Sequence, residues 1–129
     1  MSLRVKRTRE DELAEQVKGY YEILIDALRY VAYRHGFALA VHGSLRRDID
    51  LIAAPWRESA VGGDALAKAI SGAIEAIIGT SRERKEFPNP EKKPCGRLGY
   101  SFYLTHDDFG PYVDLSIMPV TKSESDGPA

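Results

Sequence analysis

Among 129 residues the chain has one cysteine, Cys95, and one tryptophan, Trp56. A single cysteine excludes an internal disulfide, and three scattered histidines, His35, His42 and His106, complete no zinc-type ligand spacing with it. Charge of one sign is also lacking: 18 basic against 19 acidic residues leave a formal net charge of -1, so no overall field draws in nucleic acid. No apolar run approaches the length of a membrane span, and the N-terminus lacks the apolar core of a secretory signal. The expected setting is the cytoplasm, with no membrane partner. There is no internal repeat and no low-complexity tract. What is present is 43% hydrophobic content, enough for one core in a chain too short for two ordinary domains.

Residues 1–9 carry Arg4, Lys6, Arg7 and Arg9 with little to bury, and read as a basic flexible arm. A single domain is expected over residues 10–118, followed by a Ser-, Gly- and Glu-containing tail over 119–129. From Glu10 to His35 the positions Leu13, Val17, Tyr20, Leu24, Leu28 and Val31 step by three or four, the stripe of a core-facing helix. Thr8 suits its N-cap and Gly36 its stop, while Gly19 is the place for a bend. A strand over 37–42 feeds the Gly43-Ser44 turn, and a second runs from Arg47 to Ala54, ended by Pro55. Trp56 is expected to pack as a lid over the edge of the core.

Asp64 opens a second helix with Leu66, Ile70, Ala73, Ile74 and Ile77 on one side, and Gly79 closes it. Residues 80–97 are polar, contain Pro88, Pro90 and Pro94, and read as a long loop of the functional or disordered kind. Tyr100, Phe102 and Leu104 alternate, a turn follows around His106 to Pro111, and a returning strand spans 112–118.

The most informative segment is Val41-His42-Gly43-Ser44, followed after three residues by Asp48-Ile49-Asp50-Leu51-Ile52. In an extended strand Asp48 and Asp50 share one face, their backbones about 6 to 7 Å apart. Both can therefore reach one cation. In the last strand Val113, Leu115 and Ile117 form an apolar face and leave Tyr112, Asp114 and Ser116 on the other. A carboxylate in such a strand needs a partner, a metal or solvent. The plain reading of each feature is a charged outer face or a solvated loop; together they suggest one shared site. The stretch Lys92-Lys93-Pro94-Cys95-Gly96-Arg97 adds a positive edge that can close over a phosphate or a nucleic-acid backbone.

These motifs resemble the nucleotidyltransferase superfamily with the fold of the DNA polymerase beta catalytic domain. The shared pattern is a hydrophobic residue and Gly-Ser, then Asp-x-Asp flanked by apolar residues, then a third carboxylate on a later strand. Here it is carried by Val41-His42-Gly43-Ser44, Asp48-Ile49-Asp50-Leu51 and Val113-Asp114-Leu115, with helices and strands in a compatible order over most of the chain. The chain also looks like small proteins of phage and prophage type that share Gly-Ser, Asp-x-Asp, Pro-Trp, Lys-Pro-x-Gly and Asp-Leu-Ser, a likeness that implies no activity.

The superfamily likeness implies an α+β fold, with a mixed sheet of about four strands and two main helices packed on one face. It implies that Asp48, Asp50 and Asp114 bind Mg²⁺ or Mn²⁺ and act in catalysis. Two ions about 3.5 to 4 Å apart would serve in-line phosphoryl displacement. Gly43, Ser44, Arg46 and Arg47 would bind the nucleoside triphosphate, with Lys93 and Arg97 as further phosphate ligands. The implied reaction is transfer of a nucleoside monophosphate to a hydroxyl, on a protein or a nucleic acid. One departure stands out: only Leu45-Arg46-Arg47 separate Gly-Ser from Asp-x-Asp, where the superfamily generally fits a short helix. That spacing suggests the other reading, a catalytically inactive interaction module of antitoxin-like or phage-related kind.

Overall fold

In the computed structural model, residues 7–58, 60, 62–79 and 90–120 are described. Helix α1, Arg9–Arg34, starts at a reciprocal cap. The Thr8 hydroxyl accepts from the Asp11 amide and the Asp11 carboxylate accepts from the Thr8 amide, both at 3.1 Å. Glu10, Asp11 and Glu12 in the first turn face the positive end of the helix dipole. The helix runs unbroken through Gly19 and ends at the C-cap His35, whose Nδ1 lies 2.7 Å from the Val31 carbonyl oxygen.

Strand β1 (Phe37–His42) pairs antiparallel with β2 (Asp48–Pro55). Helix α2 (Gly63–Ile78) then crosses the sheet and closes on Gly79. Strand β3 (Glu91–Lys92) leads into β4 (Leu98–Tyr103), and β5 (Tyr112–Ile117) completes a mixed sheet of order β1-β2-β5-β4-β3. Only β2 and β5 run parallel, and α2 lies in the connection between them.

The core sits between one face of this sheet and both helices. Ile49, Leu51 and Ala53 of β2 and Val113, Leu115 and Ile117 of β5 are buried there with Val17, Leu24 and Leu28 of α1 and Leu66, Ile70 and Ile74 of α2. The α+β class and the placing of the helices agree with the expectation from sequence. The sheet has five strands where about four were expected. The additional one is β3, two exposed residues inside the polar segment, too short to show an alternation.

Two stripes also differ from their expected composition. On α1 the buried set includes Ala14, Ile25 and Ala32, while Leu13, Tyr20 and Val31 are only partly covered. The helix touches α2 as well as the sheet, and that second contact widens its apolar face. On α2, Ile77 is 40% exposed, and its neighbour Ile78 packs against the core in its place. Trp56 is not a lid on the core: it is 46% exposed, stacks on Tyr33 at 5.2 Å and carries the Arg57 guanidinium 4.7 Å from its ring centre. Arg7 pairs with Glu15, and Val120 packs against the core, so the arm and tail each begin with an anchored residue; residues 1–6 and 121–129 lie outside the described ones.

Candidate metal centre

The face of the sheet away from the helices carries the acidic residues. Asp50 of β2 is paired in register with Asp114 of β5, and Asp48 with Tyr112, so parallel neighbours set two carboxylates side by side and a third one pleat away. Asp48, Asp50 and Asp114 each bring a carboxylate oxygen to within 4.8 Å of the other two, and all three are half-buried. The convergence expected from alternation alone is present.

Burial raises the proton affinity of Asp48 first, the Asp50 charge adds to it, and a hydrogen bond from the Tyr112 hydroxyl lowers it in part. Asp114 is raised by burial and then by Asp50 and Asp48, against which the Lys93 ammonium acts. Tyr112 is raised too, by burial and by the charges of Asp48 and Asp114. The site thus holds concentrated negative charge that a cation would relieve.

The donor set is all carboxylate oxygen, the hard ligand type that suits divalent cations such as Mg²⁺, Mn²⁺ or Ca²⁺ over softer metals. Metal–oxygen bonds of about 2.0 to 2.6 Å place opposite ligands roughly 4 to 5 Å apart, so the three side chains could hold a metal ion without backbone movement.

The turn between β1 and β2 borders this cluster. Gly43 has φ +80°, a conformation that favours glycine, and a Cβ there would stand 3.9 Å from Asp50 Oδ2. Leu45 is also left-handed, at φ 57°, and its side chain tucks against the core. Residues 43–47 contain no helical turn. Ser44, Arg46 and Arg47 line a cleft with Asp48, but Arg46 also reaches Asp11 of α1 at 3.5 Å. Lys93 and Arg97 stand on the other side of the cluster, around a second cleft with Asp50 and Asp114.

The residues singled out in the sequence therefore gather around one sheet face, in two groups. Three further residues join them. Tyr112 holds Asp48, His42 lies in register with Asp50, and Ser116 lines the second cleft. The signal for Tyr112 and Ser116 was present in their alternation with Asp114. For His42 there was only its place before the turn.

Among the described residues no helix is long and apolar enough to cross a membrane. No family model, curated protein or solved structure matches the chain, so the chemistry of the site rests on its own residues.

Proposed function

We propose that the protein is a minimal nucleotidyltransferase-like domain that binds Mg²⁺ or Mn²⁺ with a nucleoside triphosphate and transfers the nucleoside monophosphate to a hydroxyl acceptor, a new Pα–O bond forming as the bond to the β-phosphate breaks and pyrophosphate leaves. The observation that supports this reading is the meeting of Asp48, Asp50 and Asp114 beside the Gly43-Ser44 turn. The three carboxylates would hold the cation, which when bound supplies positive charge to the phosphoryl oxygens. Gly43 and Ser44 leave main chain open to an anion, and Arg47 adds a cation in the same cleft as Asp48. Asp114, beside the other two carboxylates, would complete the metal shell and help deprotonate the acceptor hydroxyl.

Thermal unfolding of the chain with Mg²⁺ or Mn²⁺ and each nucleoside triphosphate tests this. At a hundredfold excess over the dissociation constant, binding adds about 2.7 kcal/mol of stability. Asp50→Asn is expected to remove the metal-dependent part and leave the fold intact. No shift with any nucleotide would retire the enzyme reading.

One observation favours the second reading, a noncatalytic interaction module: the five-residue turn from Gly43 to Arg47 lacks the helical start at which the superfamily grips a triphosphate. A chain that takes Mn²⁺ yet ignores every triphosphate would support that reading.

A further inference from the structure

We propose that the carboxylate cluster serves two anionic ligands, and that the second, held by Lys93 and Arg97, is a hydroxyl acceptor which itself bears phosphate. This rests on the function proposed above and names the chemical class of its acceptor. The cluster lies between two clefts that share no lining residue. One, of about 280 Å³, has Ser44, Arg46, Arg47 and Asp48 on its walls. The other, of about 260 Å³, is lined by Lys93, Arg97, Ser116, His42, Asp50 and Asp114 among others. In the first cleft Glu10 is also present and Arg46 reaches Asp11, whereas the second sets Lys93 and Arg97 beside Asp50 and Asp114, and a triphosphate beside Ser44 occupies only the first.

The chain builds the second cleft with some care. A short 3₁₀ turn, Pro94–Gly96, has Cys95 at φ 64° and Gly96 at φ 75° and is closed by a 2.8 Å hydrogen bond from the Lys93 amide to the Arg97 carbonyl. Lys93 and Arg97 thereby flank one loop at the sheet's edge. The Lys93 stem lies over Gly99, where an added Cβ would stand 3.1 Å from Lys93 Cε, so glycine leaves the lysine its path across the strand. Gly99 is in register with Ser116, and the Lys93 charge is felt at Asp114.

Neither cation is fully engaged. Among the described residues the Lys93 ammonium pairs with the exposed Glu91 carboxylate, at 3.1 Å, a surface pair of the kind readily exchanged for a stronger anion. Arg97 Nε is shut off from solvent and has no hydrogen-bond partner among the described residues, and the side chain lines the second cleft. A shielded donor on a cation is costly to leave unmade, and a phosphate oxygen is the ligand type that a guanidinium matches.

In the metal-free chain the three carboxylates outweigh the charges of Lys93 and Arg97, and Glu91 adds to that excess. A divalent cation on the carboxylates removes that excess and frees the two cations for another anion. Binding of the second anion is therefore coupled to the metal.

The experiment uses the full chain saturated with Mn²⁺ and a nonhydrolysable nucleoside triphosphate, titrated by calorimetry with adenosine, adenosine 5′-monophosphate or a 5′-phosphorylated dinucleotide. The monophosphate is expected to bind at least tenfold tighter than adenosine without displacing the triphosphate. Lys93→Gln and Arg97→Gln should each weaken it at least fivefold, and Arg29→Gln on the exposed side of α1 should not. Should Arg97→Gln fail to fold, Lys93→Gln, at a half-exposed position, carries the test. Tighter binding of the dinucleotide would identify a strand end as the source of the phosphate, and equal binding a mononucleotide.

Competition with the triphosphate, equal affinity for adenosine, or indifference to Lys93→Gln would overturn the inference. Thermal shifts recorded first separate the two levels. A chain that responds to Mn²⁺ and triphosphate but not to the monophosphate loses this inference alone. One that takes the monophosphate at Lys93 and shows no shift with any triphosphate loses the proposed activity and keeps the phosphate cleft.

Discussion

The two faces of β2 and β5 are built from alternate residues of the same two strands and share almost no chemistry. Towards the helices stand Ile49, Leu51, Ala53, Val113, Leu115 and Ile117, all buried. Towards the open side stand Asp48, Asp50, Tyr112, Asp114 and Ser116, all half-buried. Period-two alternation makes each strand half core and half site. The lesson is that the core does the positioning: charges that repel one another are held in register because the residues between them are locked under two helices.

The sharpest way to break this comparison is to cross the sheet by one residue. Leu115→Ala is expected to destabilise the fold by about 2 to 5 kcal/mol, as removal of a fully buried leucine does, whereas Ser116→Ala on the opposite face should stay within about 0.5 kcal/mol. Urea unfolding of both variants measures the contrast. Similar losses would mean that the open face is as tightly packed as the core.

A smaller effect is expected at the turn that joins the faces. Gly43→Ala places a side chain at φ +80° and should lower stability by about 1 to 2 kcal/mol while the core spectra stay native. An unchanged midpoint of unfolding would show that the turn relaxes into another conformation.

The smallest effect carries the most specific sign. Asp114 has a proton affinity raised above its usual value of 3.8. Between 3.8 and the higher folded value, the native state binds more protons than the unfolded one, so stability falls as pH rises through that window. Asp114→Asn should thus stabilise the metal-free chain at neutral pH, on the order of 1 kcal/mol for like charges about 5 Å apart in a nearly aqueous site. The gain should vanish below the unfolded value, where the carboxyl is neutral in both states. With Mn²⁺ present the order should invert, wild type gaining what the variant cannot. A variant that is less stable at neutral pH without metal would contradict the crowding of charge.

Much of this was legible in the chain. The strict alternation of Val113, Leu115 and Ile117 with Asp114 gave the orientation of β5, and Asp48-Ile49-Asp50 did the same for β2. Thr8 marked the start of α1 because capping chemistry is local, while its reciprocal partner Asp11 emerged only from the structure. What alternation cannot convey is which strands are neighbours. The parallel pairing of Asp50 with Asp114 follows from the return of the chain through α2, which no pattern within either strand encodes. Strand β3 was hidden for a different reason: Glu91 and Lys92 are held by the backbone of β4, and their exposed side chains leave no periodic mark. Trp56 misled because a large aromatic ring suggests the interior, while here Tyr33 and Arg57 give it partners at the surface.

That indole has a practical consequence. As the chain's single tryptophan it dominates the intrinsic fluorescence, and it stands just past the end of β2 opposite to the one where Asp48 begins the strand. At about 3.3 Å per residue the two are separated by roughly 25 Å. Its emission should redden when the tertiary structure melts, yet stay silent on cation loading, so a red edge without a metal response is the expected optical signature of this molecule.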